Sequence, residues 1–305
     1  MFSRFYLDPV HDENRAVLLV GGGRTGTTWV AEVLNHRHPY RLIFEPFHTR
    51  IRKYLRSDAR FDLFLDPDAE FPSEQAVARR VFQGRIRAPQ VDAHNRRFWA
   101  TRRLIKDVSC SFSLPWMRRA FPELSIVLLV RHPLATARSR MQAGWKDWLD
   151  QTLAQEELRE LLPSEFQAPG YDAGFPLLRH LTQCCIELYI PLSLLGPGQL
   201  HVCSYEQCVM NPAVAFSELF DYLGQPYSPA VLEATKGWSL TTNKARAVGP
   251  RVEAELVDPS LGEAPASALE ILRLFKIDRL YRDDGSPRAW GDAALRVFQA
   301  VDSVG

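Results

Sequence analysis

Five strand-like runs punctuate the chain, at Val17–Val20, Arg41–Phe44, Leu104–Val108, Ser125–Val130 and Leu200–Ser204, each too short to be a buried helix. Helical patterns lie between them. After Pro133, which suits the first turn of a helix, Leu134, Ala137 and Met141 recur at helical spacing and are placed on its buried side. A further helical pattern covers Ala266 to Phe275. This alternation predicts an α/β fold, a parallel sheet with helices on both faces, which takes its ligands at the carboxyl ends of the strands. No internal repeat or low-complexity tract interrupts it. Two long segments do, at 49–103 and 142–175. The first is rich in arginine and carries Pro67, Pro72 and Pro89; the second carries Trp145, Trp148 and the hinge candidates Gly170 and Gly174. Segments of that length between core elements carry binding function, or their aromatics pack a small satellite core.

The first strand leads into the chemistry. Val17-Leu18-Leu19-Val20-Gly21-Gly22-Gly23-Arg24-Thr25-Gly26-Thr27-Thr28-Trp29 reads as strand, glycine-rich turn and helix start, a geometry that brings backbone N–H groups and the positive end of a helix onto an anion. Gly21 and Gly26 have the spacing of a nucleotide-binding P-loop, yet Thr27 stands where that loop has its lysine. The turn's only cation is Arg24, placed to neutralise a leaving-group oxygen. The fourth run ends in Arg131-His132-Pro133, where an NTPase would present a magnesium-binding aspartate. Arg131 and Ser139, eight residues apart, are suited to grip one phosphate by charge and hydroxyl. The plain alternatives are an ordinary strand-to-helix turn, a surface arginine and a helix-face serine.

These residues resemble a known family. Gly23-Arg24-Thr25-Gly26-Thr27-Thr28-Trp29 is similar to the sulfotransferase loop that holds the 5′-phosphosulfate of 3′-phosphoadenylyl sulfate (PAPS), and Arg131 to Ser139 resembles the 3′-phosphate site. Ile43-Phe44-Glu45-Pro46-Phe47-His48 resembles the Phe-Glu-Pro segment of the carbohydrate branch, and Ser204-Tyr205-Glu206 with Asn211-Pro212 supplies a fourth match. The resemblance implies a P-loop-like sulfotransferase fold and an O-sulfotransferase that moves the sulfuryl group of PAPS to a hydroxyl of a sugar, glycosylated metabolite or other small molecule, releasing PAP. It places Gly26, Thr27 and Thr28 on the phosphosulfate and Lys106 near it. Trp29 and Tyr205 fall against adenine, although a tryptophan there also suits the core. An attacking alcohol needs a base. The histidine that the aryl and steroid branch supplies is absent, the matching stretch reading Lys106-Asp107-Val108, and the resemblance implies Glu45 instead, which matches the glutamate of the carbohydrate branch's Phe-Glu-Pro segment, with His48 in reserve and Asp107 third. The competing role for Glu45 is an ion pair with Arg41 or Arg50. Lys244 and Arg246 take the place of the loop that closes over the 3′-phosphate, or lie in a solvated loop. The segments at 49–103 and 142–175 become candidates for acceptor recognition. The rival readings are a P-loop kinase or NTPase and a non-catalytic nucleotide-binding protein.

Composition narrows the partners. The 305 residues, 46% hydrophobic, suit one domain over 1–305, and a net charge of +1 does not suit a nucleic-acid or anionic-membrane coat. Six lysines stand against 31 arginines, which favours bidentate anion recognition or reflects a GC-rich genome. The five cysteines lack paired C-x-x-C spacing and read as core thiols, and His36 and His38 read as a solvated turn, so no metal site is expected. The charged N-terminus and the lack of a long apolar segment point to a cytoplasmic protein without a membrane span.

Overall fold

The computed structural model describes residues 7–55, 57–167, 175–237, 266–282 and 284–300. Its centre is a five-stranded parallel sheet of β1 (Ala16–Val20), β2 (Tyr40–Phe44), β3 (Arg102–Asp107), β4 (Ser125–Val130) and β5 (His201–Ser204), in the order β2-β3-β1-β4-β5. All five expected strands are present, Ser125–Val130 with the same ends and the others with no end shifted by more than two residues. All five residues of β1 are buried, as a central parallel strand demands. Its side chains alternate between two cores. Ala16, Leu18 and Val20 face the helices α2 (Pro72–Phe82), α4 (Leu114–Ala120), α5 (Pro133–Gln142) and α6 (Pro176–Leu194), while Val17 and Leu19 face α1 (Thr27–Leu34) and α7 (Pro212–Tyr222). Helices thus cover both faces.

The segment 49–103 is part of the main body rather than a satellite. Phe61, Leu65, Val77, Phe82 and Val91 join the core under β1. Buried charge also fastens it. Arg41 on β2 and Arg103 on β3 are fully buried; Arg41 pairs with Asp92 at 2.8 Å, at the end of the short helix α3 (Pro89–Asp92), and with Asp8 at 3.3 Å, which also holds Arg103 at 2.8 Å. Leu149, Leu158 and Leu162 carry 142–167 into the same core, and Gly170 and Gly174 lie outside the described residues.

One expected core position is corrected. Met141 is 40% exposed, and the neighbouring Arg140 is buried in its stead. Both suit the spacing from Leu134 and Ala137, and Arg140 takes the inward place because Glu187 of α6 meets it there at 2.6 Å. All five cysteines are buried and reduced. Among the described residues no helix is long and apolar enough to cross a membrane.

Candidate functional site

The connection after β1 turns toward β2 and that after β4 toward β5, so the crevice of this sheet opens between β1 and β4, where the glycine-rich turn and Arg131 both emerge. The glycines are required by what packs on the turn. A Cβ on Gly22 would lie 2.3 Å from Glu187 Oε2, one on Gly23 would lie 2.5 Å from the Trp145 ring, and one on Gly26, at φ +99°, would lie 2.6 Å from the Tyr205 ring. Thr25 closes the turn on itself, its N–H and hydroxyl both donating to the Gly22 carbonyl at 3.2 and 2.7 Å. Gly26 caps α1 without a side-chain hydrogen bond, which leaves the first N–H groups of the helix to an anion. Thr27 and Thr28 begin that helix.

The structure brings Arg24, Arg131, Ser139, Trp29 and Tyr205 together. Arg24 Nε donates to Ser139 Oγ at 3.2 Å, Arg131 Nη1 donates to the Arg24 carbonyl at 3.0 Å, and the Arg131 guanidinium rests 4.7 Å above the Tyr205 ring. Trp29 meets Tyr205 edge-on at 5.8 Å and donates to the Thr235 carbonyl at 3.3 Å. It therefore serves both as the edge of the crevice and as part of the α1 core. Lys244 and Arg246 lie outside the described residues.

Behind the turn stand groups that the sequence reading missed. Arg140 donates to the Gly23 carbonyl at 3.0 Å and grips Glu187 through both terminal nitrogens at 3.2 and 2.6 Å, while Gln183 bonds Glu187 at 3.2 Å. Glu206 anchors the residue after Arg131: it accepts from the His132 N–H at 2.8 Å, from Ser204 at 3.1 Å and from Tyr281 at 3.4 Å. Burial pushes the Glu206 carboxyl up, and burial with the charges of Arg131 and Arg138 pushes His132 down to about 4, so His132 is neutral. Adjacency to Ser139 and membership of Ser-Tyr-Glu were the available signals for Arg140 and Glu206.

A second cluster sits at the ends of β2 and β3. Lys106 Nζ lies 2.5 Å from Glu45 Oε1, and the ammonium rests 4.5 Å from the centre of the Phe44 ring. Glu45 thus pairs with Lys106 rather than with Arg41 or Arg50. It sits at φ +47°, and Arg24 at φ +75°; both are in the left-handed region that non-glycine residues avoid, strain of the kind held at functional sites. Asp107 is fully buried and accepts from the N–H groups of Phe47 at 2.9 Å and Ser109 at 2.7 Å, fixing the turn that carries Glu45 and His48. Burial raises its carboxyl to about 6. His48 accepts the Arg50 N–H at Nδ1 at 3.2 Å, which assigns its proton to Nε2. Burial holds His48 below the usual histidine range, the Glu45 charge opposing.

The arrangement therefore offers a cationic, donor-lined crevice for an extended anion and, two strands away, a carboxylate paired with an ammonium. A model described as "Sulfotransferase family" matches residues 16–229. Among solved structures, the chain is similar to the sulfotransferase domain from the Synechococcus PCC 7002 olefin synthase, with 17% identity over 89% of this chain and 97% of that one, TM-score 0.47. It is also similar to the sulfotransferase domain from the curacin biosynthetic pathway, with 15% identity over 88% and 97%, TM-score 0.43. No curated protein sequence matches it.

Proposed function

Because the chain belongs to the sulfotransferase family, we propose that it is a PAPS-dependent O-sulfotransferase acting on a hydroxyl of a sugar, a glycosylated metabolite or another small polar molecule. The observation that carries this reading is the convergence of Arg24, Ser139 and Arg131 on a turn without a P-loop lysine and a strand end without an aspartate. Those residues suit a donor with two anionic ends. Arg131 and Ser139 hold the 3′-phosphate; Gly23, Gly26, Thr27 and Thr28 hold the phosphosulfate, with Thr25 shaping the turn. Trp29 and Tyr205 border adenine, and Lys244 and Arg246 are assigned to the 3′-phosphate from the resemblance alone.

The acceptor oxygen attacks sulfur, a sulfur–oxygen bond forms, the bond to the bridging oxygen breaks, and PAP departs. Arg24 neutralises the charge that grows on that oxygen. Glu45 takes the acceptor's proton, and Lys106 offsets charge on the sulfuryl group in flight. His48, with its Nδ1 occupied, stands by as a donor. Preorganised donors of this kind are each worth about 3 kcal/mol in other enzymes.

Calorimetry in metal-free buffer tests the donor half. PAP and PAPS are expected to bind far more tightly than ATP, and Arg131→Ala to remove about 1.5 to 3 kcal/mol of that affinity with little change in melting temperature. Equal binding of ATP, or magnesium-dependent ATP turnover, would overturn it in favour of a kinase or NTPase. Labelled PAPS offered with methyl glucosides, phenols and simple alcohols tests the acceptor half. Tight PAP binding with transfer to none of them would favour a non-catalytic nucleotide-binding protein.

A further inference from the structure

The turn at residues 92–95 is stitched to β2, the outer strand of the sheet on that side. Asp92 receives Arg41 Nε and Nη2 at 2.8 and 3.1 Å, and the Asn95 amide receives the Leu42 N–H at 2.8 Å and returns a hydrogen bond to the Leu42 carbonyl at 2.9 Å, as a neighbouring strand would. Between these fasteners stands His94. Its ring lies on Phe44, centre to centre 4.4 Å, and the same Phe44 ring carries the Lys106 ammonium at 4.5 Å. Phe44 thus touches both the imidazole and the Lys106 ammonium, and the charges of Lys106 and Glu45 both reach His94. His94 is half-buried and its ring nitrogens make no hydrogen bond to a described residue. Burial first, and then the Lys106 charge, hold it below the usual histidine range against the opposing Glu45 carboxylate, so at neutral pH it offers one N–H and one lone pair.

Strand order gives this position its meaning. Reading across the sheet, Glu45 follows β2 and His94 packs on the last residue of that strand, Lys106 lies on β3, the glycine-rich turn follows β1 and Arg131 follows β4. Strands about 4.8 Å apart spread these groups along one line. On the O-sulfotransferase reading the donor's phosphates lie at the β1–β4 crevice, so the acceptor comes to the β2 side of it, where Glu45 stands.

Resting on the O-sulfotransferase reading above, we propose that His94 is an acceptor-binding residue whose imidazole hydrogen-bonds a polar group next to the hydroxyl that is sulfated. The acceptor is then a polyhydroxylated molecule such as a sugar, with neighbouring hydrogen-bonding groups, rather than a lone alcohol.

The test compares wild type, His94→Ala and His94→Gln. PAP affinity is expected to be equal in all three. With a methyl glucoside as acceptor, His94→Ala is expected to raise the acceptor KM about tenfold with kcat nearly unchanged, the scale of one lost hydrogen bond, and His94→Gln to recover most of it. The wild-type acceptor KM should rise as pH falls through the His94 midpoint, since the protonated ring loses its lone pair beside Lys106. An unchanged KM in His94→Ala would overturn the assignment while leaving the sulfotransferase reading intact. A second readout needs no acceptor. In an imidazole NMR titration, Lys106→Met should raise the His94 midpoint and Glu45→Gln should lower it; a midpoint indifferent to both would also overturn it.

Discussion

Glu45→Gln is expected to bind PAP as the wild type does, melt at nearly the same temperature, and transfer the sulfuryl group about 10² to 10⁴ times more slowly, the usual worth of a general base. The glutamine oxygen still meets Lys106 Nζ, which in the native protein lies 2.5 Å from Glu45 Oε1, so the left-handed turn keeps its tether while the proton acceptor is gone. Steady-state transfer from labelled PAPS, calorimetry with PAP and a thermal melt decide it together. The competing role is purely structural. The Lys106 side chain is 3% exposed, and if holding that buried ammonium were all that Glu45 did, stability and PAP affinity would fall together. Near-normal turnover in Glu45→Gln beside an inactive His48→Ala would move the base to His48. The Arg50 N–H on His48 Nδ1 opposes that outcome, because Nε2 then carries the proton and has no lone pair to offer.

The sheet was legible from the chain because its strands are buried on both faces and read as apolar runs bounded by polar residues, β1 and β4 most plainly. The turn was legible for a related reason: glycines in a strand-to-helix junction have few uses, and contacts from Glu187, Trp145 and Tyr205 at under 3 Å from a hypothetical Cβ show why each is needed. The Arg24–Ser139–Arg131 convergence followed from strand ends meeting at one edge. What stayed hidden was charge in the interior. Nothing local marked Arg41, Arg103 and Arg140 as buried, because an isolated guanidinium is costly to bury and only long-range partners at Asp8, Asp92 and Glu187 make burial tolerable. Local sequence does not name a partner 47 residues away, as Glu187 is from Arg140. His94 was hidden likewise, since its place depends on Asn95 bonding Leu42 across 53 residues.

That hidden interior is where the largest loss of stability is expected. Arg140→Met should destabilise the protein by about 3 to 5 kcal/mol, the usual cost of removing one partner of a buried pair. The side chain is 0% exposed and Glu187 8%, so a carboxylate would be left nearly out of water, with Gln183 as its remaining side-chain partner among the described residues. The damage should also reach the site. Arg140 Nε holds the Gly23 carbonyl at 3.0 Å, and its guanidinium sits 5.2 Å from the centre of the Trp148 ring, so its loss frees the turn and the 142–167 segment together. Urea melts should show the lower midpoint, and calorimetry the weaker PAP binding in whatever fraction folds. Arg140→Met combined with Glu187→Leu separates the two effects. It removes the stranded charge and is expected to regain most of the stability, yet the Gly23 carbonyl still lacks its donor, so PAP affinity should stay low. Recovery of stability and of PAP affinity together would mean that Arg140 serves packing alone and does not position the glycine-rich turn.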